Sequence, residues 1–271
     1  LQLTSLKDIT TRYRHIFLSP HLDDVVYSCG GTLAVQVSNG LRPLVITVFA
    51  GIPSDNLRLS PFAAQVHREM GADMSQRISS LMEARRKEDA AALDYLECDY
   101  LWLDYLDAIY RGNPPYYTSR EQLIGGEVHA DDLSIDKQLA QMLLDLRQHL
   151  PDTVWYAPLG IGRHVDHQIV SSAADRLVQQ GARVYYYEDF PYVLREKALE
   201  TRLNELGGAF EYNLVEMSEM LAARQEASAY YTSQIAPNFG DKETMFRAMR
   251  NYAHSIRPVE TIHLERYWTA R

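Results

Sequence analysis

Two short runs of the chain place histidines beside carboxylates. His21-Leu22-Asp23-Asp24 follows the apolar run His15-Ile16-Phe17-Leu18, and His164-Val165-Asp166-His167 follows Thr153-Val154-Trp155-Tyr156-Ala157. Each run thus sits where a strand should end, and in open α/β sheets ligands bind beyond the carboxyl ends of the strands. A catalytic zinc commonly takes three protein ligands from His and Asp/Glu and leaves a fourth position for water, whose pKa falls to about 7. His21, Asp24 and His167 would make such a set. Asp23 would then be free to act as general base. His164, on the opposite side of a bound carbonyl, would stabilise an oxyanion and protonate a leaving amine as imidazolium, with Asp166 orienting and charging it. Whether Asp23 or His164 delivers that proton is left open by the sequence.

Plainer readings exist for each residue. Asp23, Asp24 or Asp166 taken alone would serve as a helix N-cap, and a single histidine near a loop is commonly a surface or hydrogen-bonded residue. The chemical reading rests on both clusters together. Gly30-Gly31 is too sparse for a phosphate loop and lies inside the first helix, where close packing explains it. Cys29 beside it reads as a buried thiol. His129-Ala130-Asp131-Asp132 echoes the first motif without a strand before it and reads as a solvated loop.

The elements that must position these residues alternate in the rhythm of a mostly parallel, Rossmann-like doubly wound α/β sheet with helices on both faces. Strands are expected at 15–19, 43–49, 101–103, 153–157 and 183–187, and helices at 24–38, 75–97, 134–149 and 166–180. From about 104 to 132 the pattern fails, and a loop that long is usually a functional rim. The C-terminal third reads as an appendage, with helices near 216–234 and 241–253 and an alternating run at 259–268 suited to an edge strand. No repeat or linker divides residues 1–271, so one domain is expected.

The whole chain narrows the choices. Its 271 residues, 46% of them hydrophobic, suffice for a sizeable core. A net charge of −9 and the lack of a polybasic patch argue against binding nucleic acid or anionic membranes. No window is apolar enough to span a bilayer and no signal-peptide pattern is visible, so a cytoplasmic protein is expected. The two cysteines, Cys29 and Cys98, form no CxxC pair, which leaves nitrogen and oxygen as metal donors.

With these residues in view, the chain resembles the LmbE/PIG-L family of zinc-dependent de-N-acetylases, which act on N-acetylglucosamine units in conjugates such as thiol cofactors, phosphatidylinositol glycolipids and antibiotics. The family's His-Pro-Asp-Asp motif looks like His21-Leu22-Asp23-Asp24, and its His-x-Asp-His matches His164-Val165-Asp166-His167. The resemblance implies that His21, Asp24 and His167 bind one zinc, that Asp23 is the base, and that His164 and Asp166 manage the oxyanion and leaving group. Arg85 and Glu88 resemble the family's Arg-x-x-Glu, and Asp107 falls where the family often has a sugar-binding Asp. Arg85 and Asp107 are therefore candidate substrate contacts, although surface ion pairing would also account for them. The runs Tyr185 to Tyr192 and Tyr230 to Gln234 look like pocket-mouth aromatics.

Leu22 replaces the usual proline and Val25 the usual Glu or Ala, changes that remove neither ligand nor base. The implied activity is removal of acetyl from an amino-sugar conjugate, a small-molecule substrate. Rivals are a metallo-amidase acting on a larger acyl group or thiol conjugate, and a catalytically silent metal- or sugar-binding protein. Three N/O ligands and a spare base suggest an open rather than a structural site. Iron, manganese or cobalt could replace zinc, and an oligomer is compatible with the sequence.

Overall fold

The computed structural model describes residues 1–259 and 261–270. Strand β1 (His15–Ser19) leads directly into α1 (Asp24–Ser38), and β2 (Leu44–Thr47) is followed by α2 (Pro61–Glu69) and α3 (Ser79–Tyr95). After β3 (Asp99–Trp102) comes a rim holding only short 3-10 turns and the single-turn α4 (Arg120–Leu123). Then α5 (Leu133–His149), β4 (Val154–Pro158), α6 (Val165–Gln179) and β5 (Arg183–Tyr187) complete the βα units. The remainder comprises α7 (Ala198–Leu206), β6 (Phe210–Glu216), α8 (Leu221–Ser228), α9 (Thr232–Phe239), α10 (Lys242–Ser255) and β7 (Leu264–Ala270).

The seven strands form one sheet in the order β3-β2-β1-β4-β5-β7-β6, and the first five in that order are parallel. β2 and β4 are buried along their whole length and β1 at every residue after His15, as expected of parallel strands covered on both faces. From β1 the chain moves outward through β2 to β3, then crosses back through α5 to β4 on the other side of β1. Right-handed crossovers in opposite directions put helices on opposite faces. Accordingly α5 packs on α6, while α1 and α3 pack on α8. The reversal falls between β1 and β4, whose carboxyl ends carry the two His/Asp clusters.

The expected βα core matches these elements within a few residues, and several boundaries move. The helix expected over 75–97 begins only at Ser79, because 75–78 form a turn. α2 was not anticipated; Ser60 caps it through Ala63 N and Pro61 occupies its first turn. The expected helix at 216–234 is instead α8 and α9, preceded by β6. The break has a cause, since Glu88 of α3 accepts hydrogen bonds from Ser233 N (2.8 Å) and from the Thr232 and Ser233 hydroxyls, and so caps a new helix start. The expected edge strand at 259–268 is β7 at 264–270, and residue 260 of that run lies outside the described residues. β7 is not an edge, because it pairs antiparallel with both β5 and β6, and β6 takes the edge. In α1, a Cβ on Gly31 would lie 2.7 Å from Met217 and 2.8 Å from Glu265, the close packing expected of Gly30-Gly31.

Candidate metal centre and active site

Ser19 ends β1, and its hydroxyl bonds His21 O at 2.7 Å, turning the chain so that Asp23 and Asp24 begin α1. On the neighbouring strand the loop after β4 delivers His164 as the N-cap of α6, with its Nδ1 accepting the Asp166 amide at 3.2 Å. All six residues of the two clusters are buried. His21, Asp23, Asp24 and His164 line a cleft of about 360 Å³, together with Arg85 and Asp107.

Asp24 Oδ2 lies 3.2 Å from His21 Nδ1 and 3.2 Å from His167 Nε2. Donors on a tetrahedral metal at about 2.0–2.1 Å stand about 3.3 Å apart, so each of these two separations is that of a pair of donors on one metal. His167 Nε2 is buried and makes no hydrogen bond among the described residues, a cost that a metal would remove. The opposite ring nitrogens are held by carboxylates: His21 Nε2 by Asp166 at 2.8 Å, and His167 Nδ1 by Asp189 at 2.7 Å. Asp189 is fixed in turn by the Gly160 and Ile161 amides at 2.8 and 2.9 Å. Such backing carboxylates fix the tautomer and orientation of metal-binding imidazoles. The residues therefore fit a divalent cation. Ring nitrogens of His21, His164 and His167 also lie within 4.8 Å of one another, but His164 has committed Nδ1 to its cap.

Asp23 stands beside this set. Burial, reinforced by Asp24, pushes its carboxyl up to about 8 against the opposing charges of Arg85, His21 and His167. Its nearest cation, Arg85 Nη2, is 3.7 Å away. Arg85 Nη1 is 3.7 Å from Asp107 Oδ2, and Arg85 Nε has no partner among the described residues. Arg85 and Asp107 are thus buried cleft residues and not surface ion pairs, whereas Glu88 is occupied with α9. His164 is held well below the usual histidine range by burial and by His21, and the amide at Nδ1 marks it as the neutral Nε2–H tautomer.

Two placements differ from expectation. The Asp166 side chain does not reach for His164; it bonds His21 Nε2, accepts the Ala108 amide at 3.1 Å and pairs with Arg111. The His129–Asp132 segment is solvated only in part, because Asp132 is buried and binds Arg111 Nε at 3.0 Å and the Tyr117 hydroxyl at 2.7 Å. Sequence reasoning missed Asp189, Arg111 and Asp132. Asp189 alone carried a usable signal, an acid just past β5, whose carboxyl end adjoins that of β4. Tyr192 from the expected aromatic run stands edge-on to His167 at 5.5 Å and lines the cleft.

The family model for PIG-L, GlcNAc-PI de-N-acetylase, matches residues 16–178. The 2'-N-acetylparomamine deacetylase of Niallia circulans is 34% identical over 187 residues, covering 65% of this chain and 66% of that protein. Its counterpart from Streptomyces fradiae is 28% identical, with 98% and 92% covered. Among solved structures, the zinc-inhibited form of a teicoplanin deacetylase superposes with a TM-score of 0.77 at 26% identity, over 94% of this chain and 97% of that one. The matched stretch runs from β1 to α6 and contains both His/Asp clusters, and the chain belongs to the PIG-L (GlcNAc-PI de-N-acetylase) family.

Proposed function

We propose that the protein is a zinc-dependent hydrolase that removes the acetyl group from an N-acetylated amino sugar within a larger conjugate. Family membership and the deacetylases among its relatives support amide hydrolysis. The observation that carries the metal-dependent reading is the pair of 3.2 Å separations uniting His21, Asp24 and His167 beside an uncommitted Asp23. A divalent metal held there supplies Lewis acidity, which activates water at neutral pH and polarises the amide carbonyl.

The chain's own residues divide the remaining work. Asp23 takes the proton of the attacking water, and a buried carboxyl with a raised proton affinity keeps that proton long enough to return it to the departing amine. His164, neutral with Nδ1 tied to the backbone, donates Nε2–H to the developing oxyanion. That assignment makes Asp23, and not His164, the acid. Arg85 and Asp107 offer charged donors and acceptors to sugar hydroxyls, and the apolar wall formed by Phe62, Val66, Met70 and Leu123 receives the rest of the conjugate.

The test is acetate and free-amine release from a panel of N-acetylglucosamine conjugates and N-acetylated aminoglycosides, run with as-purified, chelated and zinc-restored protein. Equimolar amine and acetate, lost on chelation and regained with about one zinc per chain, is the expected result. Full release by metal-free protein, or none from any conjugate after restoration, counts against the reading.

A further inference from the structure

Arg111 lies on the rim between β3 and α5, outside both His/Asp motifs, yet its guanidinium reaches the centre of the site. Its Nη1 is 2.6 Å from Asp166 Oδ1, while Asp166 Oδ2 holds His21 Nε2 at 2.8 Å. Two other contacts hold the guanidinium: Nε donates to Asp132 Oδ2 at 3.0 Å and Nη1 to Leu106 O at 3.0 Å, while Nη2 is in ion-pair contact with Asp132 Oδ2 at 2.9 Å without a hydrogen bond of its own. The plane is covered by Phe49 at 4.9 Å and Tyr117 at 5.7 Å from the guanidinium carbon to the ring centres. Arg111 is 6% exposed and Asp166 0%, so the pair works where water does not screen it.

We propose that Arg111 is a positioning residue for the metal ligand His21, acting through Asp166: it occupies one carboxylate oxygen so that the other aims His21 Nδ1 at Asp24. This rests on the ligand set proposed above. A carboxylate with two free oxygens can rotate between donors. With Oδ1 ion-paired to Arg111 at 2.6 Å and Oδ2 shared between the Ala108 amide and His21, one orientation satisfies all three contacts. The imidazole inherits that orientation. Because Arg111 belongs to the rim that also supplies Ile109, Leu123 and Ile124 to the cleft, the segment lining the cleft is joined to the proposed metal ligand through Arg111, Asp166 and His21.

The charge and the fork geometry make separate predictions. Arg111→Met removes both and should weaken metal binding by about 10- to 100-fold, the range found when partners behind a metal ligand are lost. Arg111→Lys keeps a point charge without the planar fork and should recover part of that loss. Asp132→Asn loosens the rim but leaves Arg111 on Asp166, and should change metal affinity much less than Arg111→Met does.

The experiment is zinc titration against a competing chelator for the wild type and the three variants, with far-UV circular dichroism to confirm folding and the visible spectrum of the cobalt-loaded forms to report ligand geometry. Arg111→Met weak, Arg111→Lys intermediate and Asp132→Asn near wild type, with a changed cobalt band only in the Arg111 variants, is the expected pattern. Should Arg111→Met fail to fold, the comparison of Arg111→Lys with Asp132→Asn decides. Equal affinities in both, or a loss in Asp132→Asn as large as in the Arg111 variants, overturns the proposal in favour of a role in rim folding alone. A wild-type protein that binds no metal would instead remove the ligand set on which it rests.

Discussion

Asp23 occupies a backbone conformation, φ 153° and ψ −33°, that L-residues rarely adopt. Such strain costs on the order of 1–3 kcal/mol and persists only where the surroundings enforce it. Here the strain coincides with a buried carboxylate whose nearest cation is 3.7 Å away, so two destabilising features meet in one residue. Asp23→Asn should retain the metal and lower turnover by about 10²-fold or more, the scale of general-base catalysis; near-normal turnover would remove Asp23 from that role. Asp23→Gly should abolish turnover and raise stability by about 1 kcal/mol as the backbone strain disappears. An unchanged or lower urea midpoint for the metal-free variant would show that the conformation is unstrained. The cluster residues were legible because His and Asp following an apolar run have few structural uses. Arg111 was not, since nothing near it in sequence distinguishes it and its partners Asp132 and Asp166 are brought to it only by the crossover through α5.

At the scale of elements, α1 joins the site to the C-terminal third. Its first residue is Asp24, and its middle is gripped by Glu265, which accepts the Gly31 and Thr32 amides at 2.9 and 2.8 Å. Arg224 pairs with Glu265 at 3.3 Å and donates from Nε to Tyr27 O at 3.0 Å. In an exposed helix Gly→Ala gains roughly 1 kcal/mol. Gly31→Ala should do the reverse and cost about 1–3 kcal/mol, because its Cβ has no room beside Met217 and Glu265. Denaturant unfolding checks the sign, and a stabilised variant would mean that these side chains yield easily. The buried parallel strands announced themselves as apolar runs. β6 did not, because most of its residues are exposed and no period-2 pattern marks a buried face. α8 and α9 merged in the sequence because the acid that separates them, Glu88, comes from α3.

For the whole molecule, the two ends of the parallel sheet do different things. The carboxyl end holds the site, and the amino end is fastened around Asp99, whose carboxylate accepts from Tyr13 before β1 at 2.6 Å and from Arg42 before β2 at 3.2 Å. Burial raises the Asp99 carboxyl, but these hydrogen bonds outweigh it and lower it to about 2. A carboxyl depressed from an ordinary value of about 3.9 stabilises the fold above that pH and loses its contribution as pH falls towards about 2. With Arg42 half exposed, the gain is on the order of 1–2 kcal/mol. Asp99→Asn should therefore be less stable than wild type at pH 7, with the gap closing between about pH 4 and 2 and turnover at pH 7 unchanged; a gap independent of pH would assign the loss to packing. No helix among the described residues is long and apolar enough to cross a membrane. The reversal of strand order between β1 and β4 also sets a timetable. His21 and its backing Asp166 are 145 residues apart in the chain, so a nascent polypeptide emerging from the ribosome exposes two of the three proposed donors, His21 and Asp24, long before His167 exists. Tight capture of a cation must await translation of α6, and the ion then favours the joined sheet over either half by mass action.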